Sequence, residues 1–232
     1  MTRPVIMLTR PQDDLDNLSS VLQSMGYDVC TEPLSSIEPV EHAAVDLSAF
    51  QTLLFTSRHA VTHLKYTGLK HLPIVTVGAH TAEAARQAGF SSITAGSGRA
   101  EDLVPGLRAQ AGSILYARGQ DISFSFEMAL PGRVTDMIVY RAPLVPDFSK
   151  NGIHTLKSQN IQTVLFFSRR TAEHFVTLVQ KNGMEPYIKG IKALCLGAPM
   201  IESLSVLPWQ HIGVSPSPGR QNLLAMLGEH KE

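Results

Sequence analysis

Two strings decide the fold: QTLLFTSR at residues 51–58 and QTVLFFSR at residues 162–169, which share six of eight residues at a separation of 111. Each is apolar on consecutive positions, as a strand buried on both faces of a parallel sheet must be. Each leads into a helical stretch, RHAVTHLKYTG in the first copy and RRTAEHFVTLVQKNG in the second. A strand ending in Gly and Ala follows, VTVGAHTAEAA at 75–85 and LCLGAPMIESL at 194–204. SSITAGSGRAEDLVPGL and WQHIGVSPSPGRQNLLAML then close the copies with a further short strand and helix. Two copies of a β-α-β-α-β-α unit imply two similar domains. Strands are expected at 5–9, 52–56, 74–77, 113–116, 164–167 and 193–196. Helical spacing falls between them, as in Leu15, Leu18, Leu22 and Met25, or Phe175, Leu178 and Val179. Such alternation means α/β layers with right-handed crossovers.

Proline-bearing extended stretches separate the copies, EPLSSIEP at 32–39 and YRAPLVP at 140–146. Proline holds itself and its predecessor in extended geometry, which suits a connector. Counting strand–helix units gives equal five-stranded sheets only if the N-terminal unit joins the C-terminal half. The expected fold is therefore two parallel-sheet, flavodoxin-like α/β domains joined by a two-stranded connector, one inserted in the other. An outer domain takes 1–33 plus 146–232, an inserted domain 40–139, and connector strands 34–39 and 140–145. Paired linkers of this kind would leave a hinged cleft between the domains.

The chain has 232 residues, 44% of them apolar, enough for substantial cores. Lys plus Arg and Asp plus Glu are 20 each, so the net charge is zero, and nothing electrostatic points to nucleic acid or an anionic membrane. No apolar stretch approaches the ~20 residues that span a bilayer, and MTRPVIMLTRPQDD lacks the cleavage site of a secretory signal. Cys30 and Cys195 sit in apolar segments and read as buried thiols in a reducing compartment. The expectation is a soluble, cytoplasmic protein, and a monomer.

In open α/β sheets, ligands bind beyond the carboxyl ends of the strands. Seven such positions can be read: Thr9 to Pro11, Ser57 with Arg58, Gly78 to Thr81, Arg118 with Gly119, Ser168 to Arg170, Gly197 with Ala198, and Ser215 to Arg220. Hydroxyls and glycines at helix starts serve as caps, and they also leave backbone N–H groups and positive dipole ends for anions. Five of the seven carry arginine in a chain of zero net charge, which points to a polyanionic ligand. Gly96, Ser97 and Gly98 lack the rest of a P-loop, and no GxGxxG follows the first strand. His59 and His63 have a metal-compatible spacing without further ligands, and read as surface or capping residues. No Gly-x-Ser-x-Gly elbow appears, and neither cysteine follows a basic helix start. Asp13, Asp14, Asp102 and Asp121 read as caps and first-turn charges. An enzyme built this way would work by holding and shaping its substrate.

The ordered set Leu8 to Pro11, Leu54 to Ser57 with Ala60 and Val61, Val77 and Gly78 with Thr81 and Ala82, Tyr116 to Gly119, Val139 and Tyr140, Leu165 to Ser168, and the segment 215–224 resembles the uroporphyrinogen-III synthase family along essentially the whole chain. The resemblance implies two α/β domains on a two-stranded connector and no cofactor or metal. It implies that the linear tetrapyrrole hydroxymethylbilane loses water and closes, with ring D inverted, to uroporphyrinogen III. The family mechanism runs through an azafulvene, attack by the substituted carbon of ring D, and a spiro intermediate that rearranges. The substrate's acetate and propionate carboxylates match the arginines and helix starts. Tyr140 matches the tyrosine favoured as the acid that assists departure of the hydroxyl; a phenol of ordinary pKa about 10 keeps its proton at neutral pH. A tyrosine that merely packs at the hinge would look the same.

Carried over residue by residue, Ser57, Thr81 and Ser168 would bind carboxylates, with Arg10, Arg58, Gly78, Arg118, Gly119 and Ser215 beside them. At Gly197 and Ala198 relatives often carry Ser or Thr, so the contact there would come from backbone. The resemblance leaves open a transient contact with the preceding deaminase. Two other readings use the same layout: a non-enzymatic two-domain module for a small polyanion, and a two-lobed transferase. Turnover of a tetrapyrrole separates the first reading from both.

Overall fold

In the computed structural model, which describes residues 3–43, 45–67, 72–217 and 219–228, the chain divides into two compact units. One comprises Met1–Ser36 with Pro143–Glu232, the other Ile37–Ala142. The first unit opens with β1 (Val5–Leu8), α1 (Leu15–Ser24) and β2 (Asp28–Thr31). The second runs β3 (Glu38–Pro39), β4 (Val45–Asp46), β5 (Thr52–Phe55), α2 (Arg58–His63), β6 (Tyr66–Thr67), β7 (Ile74–Thr76), α3 (Ala79–Gln87), β8 (Ile93–Ala95), α4 (Val104–Ala109), β9 (Ile114–Gly119), α5 (Phe126–Ala129) and β10 (Val134–Arg141). The chain returns to the first unit with α6 (Lys150–Lys157), β11 (Ile161–Phe166), α7 (Arg169–Lys181), β12 (Lys192–Cys195), α8 (Ile201–Leu204), β13 (His211–Val214) and α9 (Arg220–Ala225). Among the described residues, no helix is long and apolar enough to cross a membrane.

The first unit has one parallel sheet in the order β13-β12-β11-β1-β2. Consecutive strand residues face opposite helical layers, which is why the runs are apolar without alternation. Met7, Val164, Phe166, Ala193 and Cys195 pack with Phe175, Val179 and Leu156 on one face. Ile6, Leu8, Leu165 and Leu194 pack with Leu18, Leu22, Leu223 and Leu224 on the other. Leu15, Leu18 and Leu22 are buried, as their spacing requires. At the end of α7, Gly183 takes φ 60°, and Met184 N–H bonds back to the Val179 carbonyl at 2.9 Å, closing the helix with a left-handed cap.

The second unit's sheet runs β3-β10-β9-β5-β7-β8. Only β3, hydrogen-bonded to β10 through Tyr140 and Arg141, is antiparallel. The five parallel strands are thus joined by the first connector itself as a sixth. Laying β11 on β5 places β12 on β7, β13 on β8, β1 on β9 and β2 on β10. Both units are therefore one sheet begun by the chain at different strands, and the 111-residue repeat is the half in which the order of elements coincides. Leu53, Phe55, Leu115 and Ala117 face α2 and α3, while Leu54, Ile114 and Tyr116 face the layer holding Leu107 and Phe126.

Two local expectations differ. The helix expected over 58–68 stops at His63, because Leu64 turns extended (ψ 117°) and Tyr66–Thr67 pairs with Val45–Asp46; Gly68 lies outside the described residues. The apolar pattern does not predict a strand over 134–139, yet β10 runs unbroken through these residues to Arg141. Pro218, within the closing segment 215–224, also lies outside the described residues.

Candidate active site

Where strand order reverses in a doubly wound sheet, the loops leaving neighbouring carboxyl ends part to opposite faces and open a crevice. That reversal falls between β1 and β11 in the first unit and between β5 and β9 in the second. Arg10 and Ser168 leave the first pair of strands; Ser57, Arg58, Arg118 and Gly119 stand at the second.

In the first unit, Arg10 is held in place. Its Nε and Nη2 donate to Asp14 Oδ2 at 3.0 and 2.6 Å, and its guanidinium lies 4.9 Å from the Phe167 ring centroid. Ion pairing and stacking aim it while its side chain keeps 30% exposure. Ser168 caps α7: its Oγ accepts from Thr171 N–H at 3.2 Å and lies 2.7 Å from Thr171 Oγ1. Arg169 pairs with Glu173 one turn on. Gly197 is extended at the start of a short 3-10 turn, followed by exposed Ala198. Ser215 is buried and donates to the Ser217 carbonyl at 2.7 Å, so its hydroxyl organises its own loop. Burial pushes both thiols, Cys30 and Cys195, above their ordinary range.

In the second unit, Ser57 caps α2 by accepting from His59 N–H at 3.2 Å, and Arg58 is the first residue of that helix. Gly78 caps α3 with extended backbone; a Cβ there would stand 3.5 Å from the Cα of Gly98. Thr81 is buried in the first turn of α3. Arg118 is tied into the fold: Nε donates to Asp136 Oδ2 at 2.7 Å, and Nη1 to the carbonyls of Gly119 and Gln120, each at 3.0 Å. Beneath it, Tyr116 and Thr56 share a 2.8 Å hydroxyl contact, and burial pushes the Tyr116 phenol up against the opposing pull of Thr56 and Arg118.

Tyr140 is half-buried on β10, against Gly119 of β9. A Cβ on Gly119 would stand 2.7 Å from Tyr140 Cζ and 2.9 Å from its Oη. The His59 and His63 rings lie 5.7 and 6.4 Å from the Tyr140 ring, centroid to centroid. The reading of His59 as a surface or capping residue is corrected: it is 8% exposed, because the face of α2 that carries it packs on β9 and β10. The face that the two histidines share was legible in the i, i+4 spacing. What that face covers was not, since Tyr140 is remote in sequence. Asp136 was missed for the same reason. Among the described residues, no three His, Cys, Asp or Glu side chains are grouped to hold a metal ion.

The family model described as uroporphyrinogen-III synthase HemD matches residues 16–225. Among solved structures, the chain is similar to uroporphyrinogen-III synthetase from Helicobacter pylori 26695, with 17% identity, a TM-score of 0.65, and 98% of this chain and 99% of that one covered. It is also similar to a mutant uroporphyrinogen III synthase from Thermus thermophilus, with 17% identity, a TM-score of 0.56, and 98% and 97% covered. No curated protein sequence matches the chain.

Proposed function

Because the chain belongs to the uroporphyrinogen-III synthase family, we propose that it dehydrates and cyclises hydroxymethylbilane, with inversion of ring D, to uroporphyrinogen III. The observation that carries this reading is the family match, which takes in every strand of both sheets except β1. The reaction is a hydro-lyase step without a cofactor. The C–O bond of the hydroxymethyl group breaks and its carbon bonds to the substituted carbon of ring D. The bond from that carbon to the bridging methylene then breaks, the bridge re-bonds at the free α-carbon of ring D, which loses its proton, and no electrons pass to or from an external carrier.

Tyr140 supplies the proton with which the hydroxyl leaves as water, and the proton released when the closed ring regains aromaticity restores the phenol. The carboxylates are received by Arg10 and by the starts of the long helices α3 and α7, at Gly78 and Ser168, where N–H groups and the dipole favour anions. Arg58, Thr81, Arg118, Gly119, Gly197, Ala198 and Ser215 contribute backbone or shape more than free charge, as the bonds of Arg118 and Ser215 suggest. Orientation is the main catalytic effect: the bound tetrapyrrole is folded so that the substituted carbon of ring D attacks in place of direct end-to-end closure. The protein acts as a cytoplasmic monomer that takes its substrate from the preceding deaminase.

The test is consumption of freshly generated hydroxymethylbilane by purified protein with a chelator present. Loss above the spontaneous rate and proportional to protein is expected. A protein that binds the tetrapyrrole without hastening its loss would be the polyanion-binding module instead. Tyr140→Phe should lower kcat without abolishing it; full activity in that variant would remove the acid role.

A further inference from the structure

We propose that Gly119 and His59 are positioning residues for the Tyr140 phenol, forming a seat that fixes where its hydroxyl stands; this rests on the reading of Tyr140 as the acid. The seat begins with a slip in strand register. From Val134 opposite Ile114 to Ile138 opposite Arg118, β10 and β9 pair residue for residue. The register then shifts, and Tyr140, not Val139, stands opposite Gly119. An extra residue in one strand re-aims the side chain that follows it. Here it leaves Val139 fully buried and lays the Tyr140 ring on the Gly119 backbone.

Glycine at this position has a steric reason. A Cβ on Gly119 would meet Cζ, Oη and Cε2 of Tyr140 at 2.7, 2.9 and 3.0 Å, which is the hydroxyl-bearing end of the ring. Carbon atoms settle about 3.5–4.0 Å apart, so an added methyl drives the hydroxyl away by about 1 Å. From α2, the buried His59 ring approaches at 5.7 Å and 54° to the Tyr140 plane, a tilted aromatic contact. His63, one turn on, adds a looser contact at 6.4 Å. The acid is thus held by a strand and a helix of one unit, and the loop after β9 is tied to it through Gln120 N–H, which donates to the Tyr140 carbonyl at 2.9 Å.

The consequence concerns kcat more than KM. A displacement of ~1 Å at a reacting group costs on the order of 100-fold, so Gly119→Ala should lose about 10- to 100-fold in kcat with KM changed less than about threefold. His59→Ala removes one wall and should lose about 3- to 10-fold. The decisive readout is a double-mutant cycle with Tyr140→Phe, accompanied by NMR of ring-labelled tyrosine, of which the chain has five. If the seat acts through the phenol, either substitution has little further effect in the Tyr140→Phe background. In the single variants, the Tyr140 resonance moves while the other four stay.

Losses that add to that of Tyr140→Phe, or an unmoved Tyr140 resonance, would overturn the seat and leave the acid reading standing. A fully active Tyr140→Phe enzyme would overturn the acid reading, and the seat's catalytic role with it. Should Gly119→Ala fail a thermal unfolding control, the His59→Ala cycle and its spectrum decide.

Discussion

Replacing Glu32 by Gln perturbs a buried carboxylate that joins the roots of both connector strands. Glu32 follows β2, is 1% exposed, and accepts Ser149 N–H at 2.7 Å through Oε1 and Ser149 Oγ–H at 2.6 Å through Oε2. Ser149 in turn caps α6 by accepting Gly152 N–H at 2.9 Å. Gly152 leaves space for this relay: a Cβ there would collide with the Glu32 carboxylate. Gln keeps the shape, but its amide has one acceptor. Oε1 can still take Ser149 N–H in a neutral bond weaker by about 1 kcal/mol, whereas Nε2 cannot accept Ser149 Oγ–H and that bond is lost or reversed, at about another 1 kcal/mol. The substitution also removes a negative charge from a helix N-terminus, another 0.5–1 kcal/mol or so. The expected loss is about 2–3 kcal/mol in the first unit.

The assay is urea unfolding followed by tryptophan fluorescence. The chain's one tryptophan, Trp209, packs against Phe175 and Phe166 in that unit and reports it selectively. With a slope of about 2 kcal/mol/M, the midpoint should fall by about 1–1.5 M. A midpoint within about 0.2 M of the parent would mean that the relay survives without its charge.

Arg133→Ala should cost about 2–3 kcal/mol, because its guanidinium donates to the carbonyls of Leu107, Arg108, Gln110 and Gly112 around the end of α4. Far-UV circular dichroism during denaturation would show it, and a loss below about 0.5 kcal/mol would contradict it. Bonds from Lys181, Asn182 and Phe148 N–H hold Asp147 down from 3.8 to about 2. Its native pKa lies below its unfolded one, so its contribution is present above about pH 4 and lost as pH falls towards 2. Asp147→Asn should flatten the stability profile across that window, and an unchanged profile would dismiss the effect. Arg10→Ala should raise KM several-fold at nearly constant kcat. An unchanged KM would remove Arg10 from the carboxylate site.

What was legible in the sequence follows from how each element is buried. The strands β1, β5, β11 and β12 lie between two helical layers, so their apolar runs stood out, and the repeated string exposed the second sheet. By contrast, β10 reads VTDMIVYR, with mostly half-exposed positions, and its polar residues hid it. Glu32 and its proline read as connector, and only the return of Ser149 from a distant segment reveals why a glutamate is buried there. The site divides in the same way. Helix starts such as Ser57 and Ser168 are local features and could be read directly. Whether an arginine at a strand end is committed depends on its neighbours across the sheet: Asp136 takes up Arg118 from β10, a pairing that spacing along the chain does not encode.

Isomer partition of the product shows whether this protein inverts ring D. Freshly generated hydroxymethylbilane is incubated with the protein, the products are oxidised, and porphyrin isomers I and III are separated by chromatography. Isomer III in excess, rising in proportion to the protein, is expected. Isomer I alone, from protein shown to be folded, would contradict the inversion.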